Sequence, residues 1–136
     1  MKKIDFEKIS IRLDENHPEI DFALVFGSSK DGFIHPKSDI DLAVMFGASY
    51  NENTIVGIIK TIENLYPEIL CDLTILNSAK ILIKYESLKG KLLFIRKGKE
   101  NKYADFYSIT CRKHEDYHFW MKRQLLYRGY EWNINT

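Results

Sequence analysis

The sequence lacks most features that would assign it to a special class. It has 2 cysteines, Cys71 and Cys111, with no metal-ligand spacing between them. That argues against a disulfide framework or a cysteine-based zinc module. Both thiols are expected to be small buried hydrophobes in a reducing cytoplasm. No apolar run approaches the roughly 20 residues that a membrane span needs. The opening MKKIDFEKIS carries lysines but no apolar run of signal-peptide length. An excess of one charge is also missing: 20 Lys and Arg stand against 19 Asp and Glu, a net charge of +1. Direct nucleic-acid binding therefore has no global electrostatic footprint. With 3 prolines, 7 glycines and no linker, repeat or low-complexity tract, residues 1–136 are expected to form a single domain.

What the chain does have is the stretch from Phe26 to Phe46, FGSSKDGFIHPKSDIDLAVMF. Gly27 and Ser28 follow an apolar run, and ten residues separate them from Asp39-Ile40-Asp41. Carboxylates at i and i+2 of a strand point to one face, with Cα atoms roughly 7 Å apart. Both can then reach one or two cations. The Gly-Ser turn offers backbone N–H groups and a hydroxyl, the makings of a phosphate cradle. Metal carboxylates facing such a cradle are the parts of a phosphoryl- or nucleotidyl-transfer site.

Around this stretch the elements alternate. Residues 4–15 predict a helix that stops before Pro18, and IDFALVF over 20–26 predicts a buried strand. Ser28 to Lys30 open a turn or short helix, and Asp39 to Phe46 is the second strand. Helical spacing runs from Asn51 to Tyr66, with Asn51 or Asn53 as cap and Pro67 beyond the end. Glu68 to Leu76 predicts a third strand with Asp72 and Thr74 on one face. A helix over 78–90 with Gly90 at its end, a short strand over 91–95 and a long helix over 101–129 complete the chain. The expected class is α/β of the α+β type: a small mixed sheet with packed helices and a long C-terminal helix.

Asp72 is the third candidate. A carboxylate among Ile, Leu, Cys and Thr is costly to bury unless paired or metal-bound, and a strand beside Asp39-Ile40-Asp41 would bring it to the same patch. Three clustered carboxylates suit Mg²⁺, a cation that prefers oxygen and is completed by water and phosphate. Ser28 is the first choice for contact with a triphosphate, with Gly27 allowing close approach and Ser29 second. Lys30, Lys37, Lys84 and Lys91 could screen phosphate charge, although exposed loop lysines are the commoner case. His35 lies between the halves of the motif, and His17, His114 and His118 show no metal pattern with carboxylates.

Gly27-Ser28, ten residues and Asp39-x-Asp41 together resemble the signature of the polymerase-β-type nucleotidyltransferases. At this length the chain most resembles the minimal nucleotidyltransferases, often the antitoxin half of a pair with a HEPN-domain toxin. The resemblance covers about Phe22 to Leu76 and implies a nucleotidyltransferase fold. It implies that Asp39 and Asp41 bind two Mg²⁺ ions and that Asp72 shares a metal or activates the attacking hydroxyl. It also implies transfer of AMP from ATP to a hydroxyl, a tyrosine, of the cognate HEPN toxin. Two alternatives stand beside this: an antitoxin that masks the toxin by contact alone, and an aminoglycoside-type nucleotidyltransferase acting on a small molecule. The second usually needs an added substrate domain, for which 136 residues leave little room.

The tail, 101–136, is rich in aromatics: 9 of the 18 in the chain follow residue 100. One helix face cannot bury that many. Phe106, Tyr117 and Trp120 are expected in the core. The rest, interleaved with Arg112, Lys113, Lys122, Arg123 and Arg128, suit a protein interface.

Overall fold

A computed structural model of the chain describes residues 2–34, 39–47 and 49–129. His35, Pro36, Lys37, Tyr130 and Trp132 lie outside the described residues. In chain order come β1 (Lys2–Lys3), α1 (Phe6–Asn16), β2 (Ile20–Phe26), a 3₁₀ turn (Gly27–Ser29), β3 (Phe33–Ile34) and β4 (Ile40–Phe46). Then follow α2 (Glu52–Leu65), β5 (Cys71–Ile75), α3 (Ile81–Leu88), β6 (Lys91–Ile95) and α4 (Glu100–Tyr127). The main sheet has the order β5-β4-β2-β6. β5 runs parallel to β4, and the other neighbours are antiparallel.

The two central strands read as near-continuous apolar runs because helices cover both faces of the sheet. On one face Ala23, Val25, Leu42 and Val44 meet Ile9 and Leu13 of α1 and Ile58 and Ile62 of α2. On the other, Phe22, Leu24 and Ala43 meet Phe106 of α4, with Leu88 of α3 packed against them. The Phe22 ring lies 5.0 Å from Tyr103 and 5.3 Å from Phe106. Asp5 caps α1, and Asn51 caps α2 in a reciprocal box with Thr54.

Three expectations need correction, and one pair of strands went unread. The third strand is Cys71–Ile75, not 68–76; Pro67 and the turn bond from Ile69 N–H to Tyr66 O hold Glu68 and Ile69 out of the ladder. Lys89, right-handed, closes α3 in place of Gly90. Gly90 serves a close approach instead. A Cβ there would overlap the Val25 carbonyl and lie 2.8 Å from Phe26 Cα, so glycine lets the α3–β6 turn press on the end of β2. Tyr117 and Trp120 are not core residues, and Trp120 is 54% exposed. The 28 residues of α4 span about 42 Å, against about 23 Å for a seven-residue strand, so the helix outruns the sheet. Finally, β1 and β3 form a separate antiparallel ribbon. Strands of two residues leave no periodicity to detect.

Candidate active site

Phe26 at the end of β2 is the Cα partner of Asp41 in β4, and Asp41 is the Cα partner of Asp72 in β5. Strand pairing alone thus sets the two carboxylates side by side, next to the residue that enters the Gly27 turn. Asp39, expected as the first residue of the strand, stands one residue before β4. It is exposed, as is Asp72, while Asp41 is partly buried. The premise that Asp72 is buried among apolar neighbours therefore fails, because β5 is an edge strand. Desolvation falls on Asp41 instead. Loss of water, then the charges of Asp72 and Asp39, push its carboxyl above the usual range. The neighbouring Cys71 thiol is pushed up to about 12 by burial and by surrounding carboxylates, Glu63 first.

Gly27 has φ 72°, in the left-handed region, and a Cβ on it would overlap the Asp41 carboxylate. The turn backbone lies directly against the acid, which only glycine permits. Ser28 is exposed at this turn. Ser29 is buried, and its Oγ has no hydrogen-bond partner among the described residues. Lys30 is exposed. Lys91 lines a groove with Phe6 and Ser10, on the α1 side of the sheet away from the carboxylates. The His114 and His118 rings are 6.5 Å apart, and His114 stacks on Tyr85 at 3.6 Å.

Among the described residues, no three His, Cys, Asp or Glu side chains converge closely enough to hold a metal ion. The donor chemistry nevertheless fits a hard divalent cation. Asp41 feels both Asp72 and Asp39, all donors are oxygen, and phosphate and water commonly complete such sites.

One supporting pair is invisible in the sequence. Asp21, 3% exposed in β2, accepts a hydrogen bond from Lys102 Nζ of α4 at 2.6 Å. Its only sequence signal is an acid within an apolar strand. Arg96 adds a second tie, donating to Ile20 O at 2.6 Å, His17 O at 2.9 Å and Asp14 Oδ1 at 2.7 Å.

Comparison with known families gives a match to the family described as polymerase beta, nucleotidyltransferase, over residues 7–99. Among curated protein sequences, none matches the chain. Several solved structures share its fold. A mutant of the MntA–HpeT toxin–antitoxin complex is 21% identical with a TM-score of 0.70, covering 93% of this chain and 98% of that one. A toxin–antitoxin with AMP-PNP is 23% identical at the same TM-score and coverage. A complex of the tri-AMPylated HEPN toxin of Shewanella oneidensis with its MNT antitoxin is 21% identical, with a TM-score of 0.63 over 91% of this chain and 93% of that one.

Proposed function

The chain belongs to the polymerase β nucleotidyltransferase family, and on that premise we propose that it is an antitoxin that transfers AMP from ATP to a tyrosine hydroxyl of a HEPN-type toxin. The observation that carries this reading is the register that sets Asp41 beside Asp72 and against the Gly27 turn. Similar folds occur in a complex with AMP-PNP and in one with an AMPylated HEPN toxin, which supports both the nucleotide and the acceptor.

In the proposed reaction the acceptor oxygen bonds to the α-phosphorus while the bond to the bridging oxygen of the β-phosphate breaks. Pyrophosphate leaves, and the hydroxyl proton passes to a carboxylate, for which Asp72 on the edge strand is the candidate. The Gly27 turn receives the triphosphate, Ser28 donates to it, and Ser29 is the second donor. Asp39, Asp41 and Asp72 would hold Mg²⁺, two ions in this reading, which when bound would offset charge on the attacking and leaving oxygens. Within the single domain, 101–136 would contribute to the toxin interface: Tyr107, Phe119, Trp120 and Tyr127 are all exposed. Arg123 lies over the Phe119 ring at 5.8 Å, and exposed aromatics with arginine suit protein contact. No helix among the described residues is long and apolar enough to cross a membrane. Both cysteines are free, which fits a reducing cytoplasm.

The test is growth rescue. Cells expressing the toxin should survive with this chain and fail with its Asp39→Asn or Asp41→Asn variant at equal abundance. Rescue by either variant would favour masking by contact and overturn transfer.

A further inference from the structure

The main sheet has two edges, and they are treated differently. At β6, α1 covers the outer side, and Ser10 Oγ donates to the outward Leu93 carbonyl at 3.0 Å. At β5, no strand pairs with the outer side among the described residues. The ladder shows which backbone groups face outward. Ile40 N–H donates to Leu70 O, and Leu76 N–H donates to Val44 O. Residues 70, 72, 74 and 76 therefore turn their backbone toward β4, and Cys71, Leu73 and Ile75 turn theirs away. Ser78 N–H takes the Ile75 carbonyl. The N–H and C=O of Cys71 and Leu73 and the N–H of Ile75 are left for a further strand. An uncovered row of this kind is a template for pairing with another chain.

This edge belongs to the candidate site, because Asp72 is on the strand itself. A residue paired opposite Asp72 on an added strand would have its Cα about 5 Å away and its side chain on the same face. That places a hydroxyl-bearing side chain beside the carboxylates. The surroundings select the peptide further. Leu70, at the start of the edge, is 67% exposed and offers an apolar contact. Asp72 stands on the edge strand with Asp41 as its Cα partner, and Glu63 stands on α2, which packs against β5, so carboxylates flank the edge from the α2 side and from the site side. Such an edge favours arginine or lysine in its partner.

We propose that the acceptor segment of the partner protein docks as an added strand along β5, an extended basic stretch whose tyrosine lies opposite Asp72. This rests on the adenylyl-transfer reading for the chemistry but not for the docking, so the two can be separated. The probe is a twelve-residue peptide with a central tyrosine between arginine and lysine residues, added with ATP and Mg²⁺ to the full chain. Amide exchange is followed by NMR, and the peptide is weighed afterwards. In the free protein the amides of Cys71, Leu73 and Ile75 should exchange quickly, and those of Asp72 and Thr74 slowly. Peptide should slow exchange at Leu73 and Ile75 at least about tenfold and leave β6 unchanged. N-methylating alternate peptide residues should abolish this in one register and spare it in the other. An acidic-flanked peptide should bind more weakly. No protection at Leu73 and Ile75, or equal behaviour of the two N-methylated peptides, would overturn the docking whether or not the peptide gains mass. Protection without added mass would uphold the docking and count against the transfer reading.

Discussion

Gly27 and Asp41 are packed so closely that no side chain fits between them: a Cβ on Gly27 would overlap the Asp41 carboxylate. Gly27 also sits at φ 72°, where L-residues are strained. Gly27→Ala should therefore cost stability, about 1–2 kcal/mol, and should move the acid or the turn. Displacement of about 1 Å in a transfer site can cost on the order of 10²-fold in rate. Urea unfolding and AMP transfer, measured on the same preparation, check both effects. Unchanged transfer would show that the turn does not touch the nucleotide.

Asp41→Asn should lose transfer and gain stability. Burial and the charges of Asp72 and Asp39 raise the Asp41 carboxyl. A raised acid is one whose ionised form the fold disfavours, so at neutral pH its charge works against folding. The neutral amide removes that cost. A rise in melting temperature on the order of 1–3 °C is expected in cation-free buffer. A variant that melts lower would mean that the carboxylate holds the fold together.

Much of this was legible in the residues. IDFALVF reads as a buried strand because it packs on both faces, and β2 has those bounds. Asn51 reads as a helix cap and acts as one. That Asp72 belongs on a strand beside Asp41 is readable from the residues; the register that sets the two directly opposite is not, because register between strands separated by a whole helix depends on packing that no local pattern records. Which serine is exposed was equally hidden: Ser28 and Ser29 differ only in which side of a three-residue turn they occupy. Tyr117 and Trp120 misled for another reason. Their spacing is helical, but the sheet ends before they arrive.

Lys102→Met should destabilise more than its surface position suggests. It leaves the Asp21 carboxylate, 3% exposed, without its cation. Breaking a buried pair from one side typically costs about 3–5 kcal/mol. The double variant Asp21→Asn with Lys102→Met should recover part of the loss, as a double-mutant cycle in denaturant would show. Simple additivity of the two single losses would mean that the pair contributes little.

Stability should fall in mild acid partly through His17. Its Nε2 lies 2.8 Å from Thr61 Oγ1, and burial lowers its pKa from the ordinary 6.5 against the opposing pull of Glu19. The unfolded chain binds the proton first. The contribution of neutral His17 is therefore complete above about pH 6.5 and declines as pH drops through the lowered folded value. His17→Gln should flatten the fall in urea midpoint between about pH 7.5 and 5.5. Parallel curves for the two proteins would remove His17 from the acid response.

The mass of the toxin tests the central claim most directly. A HEPN toxin paired with this chain is incubated with it, ATP and Mg²⁺, then separated and weighed intact. Adenylyl transfer predicts additions of about 329 Da each, on tyrosine, with a toxin that stays inactive after separation. The Asp41→Asn variant should add none. A toxin of unchanged mass that regains activity once this chain is removed would contradict the account.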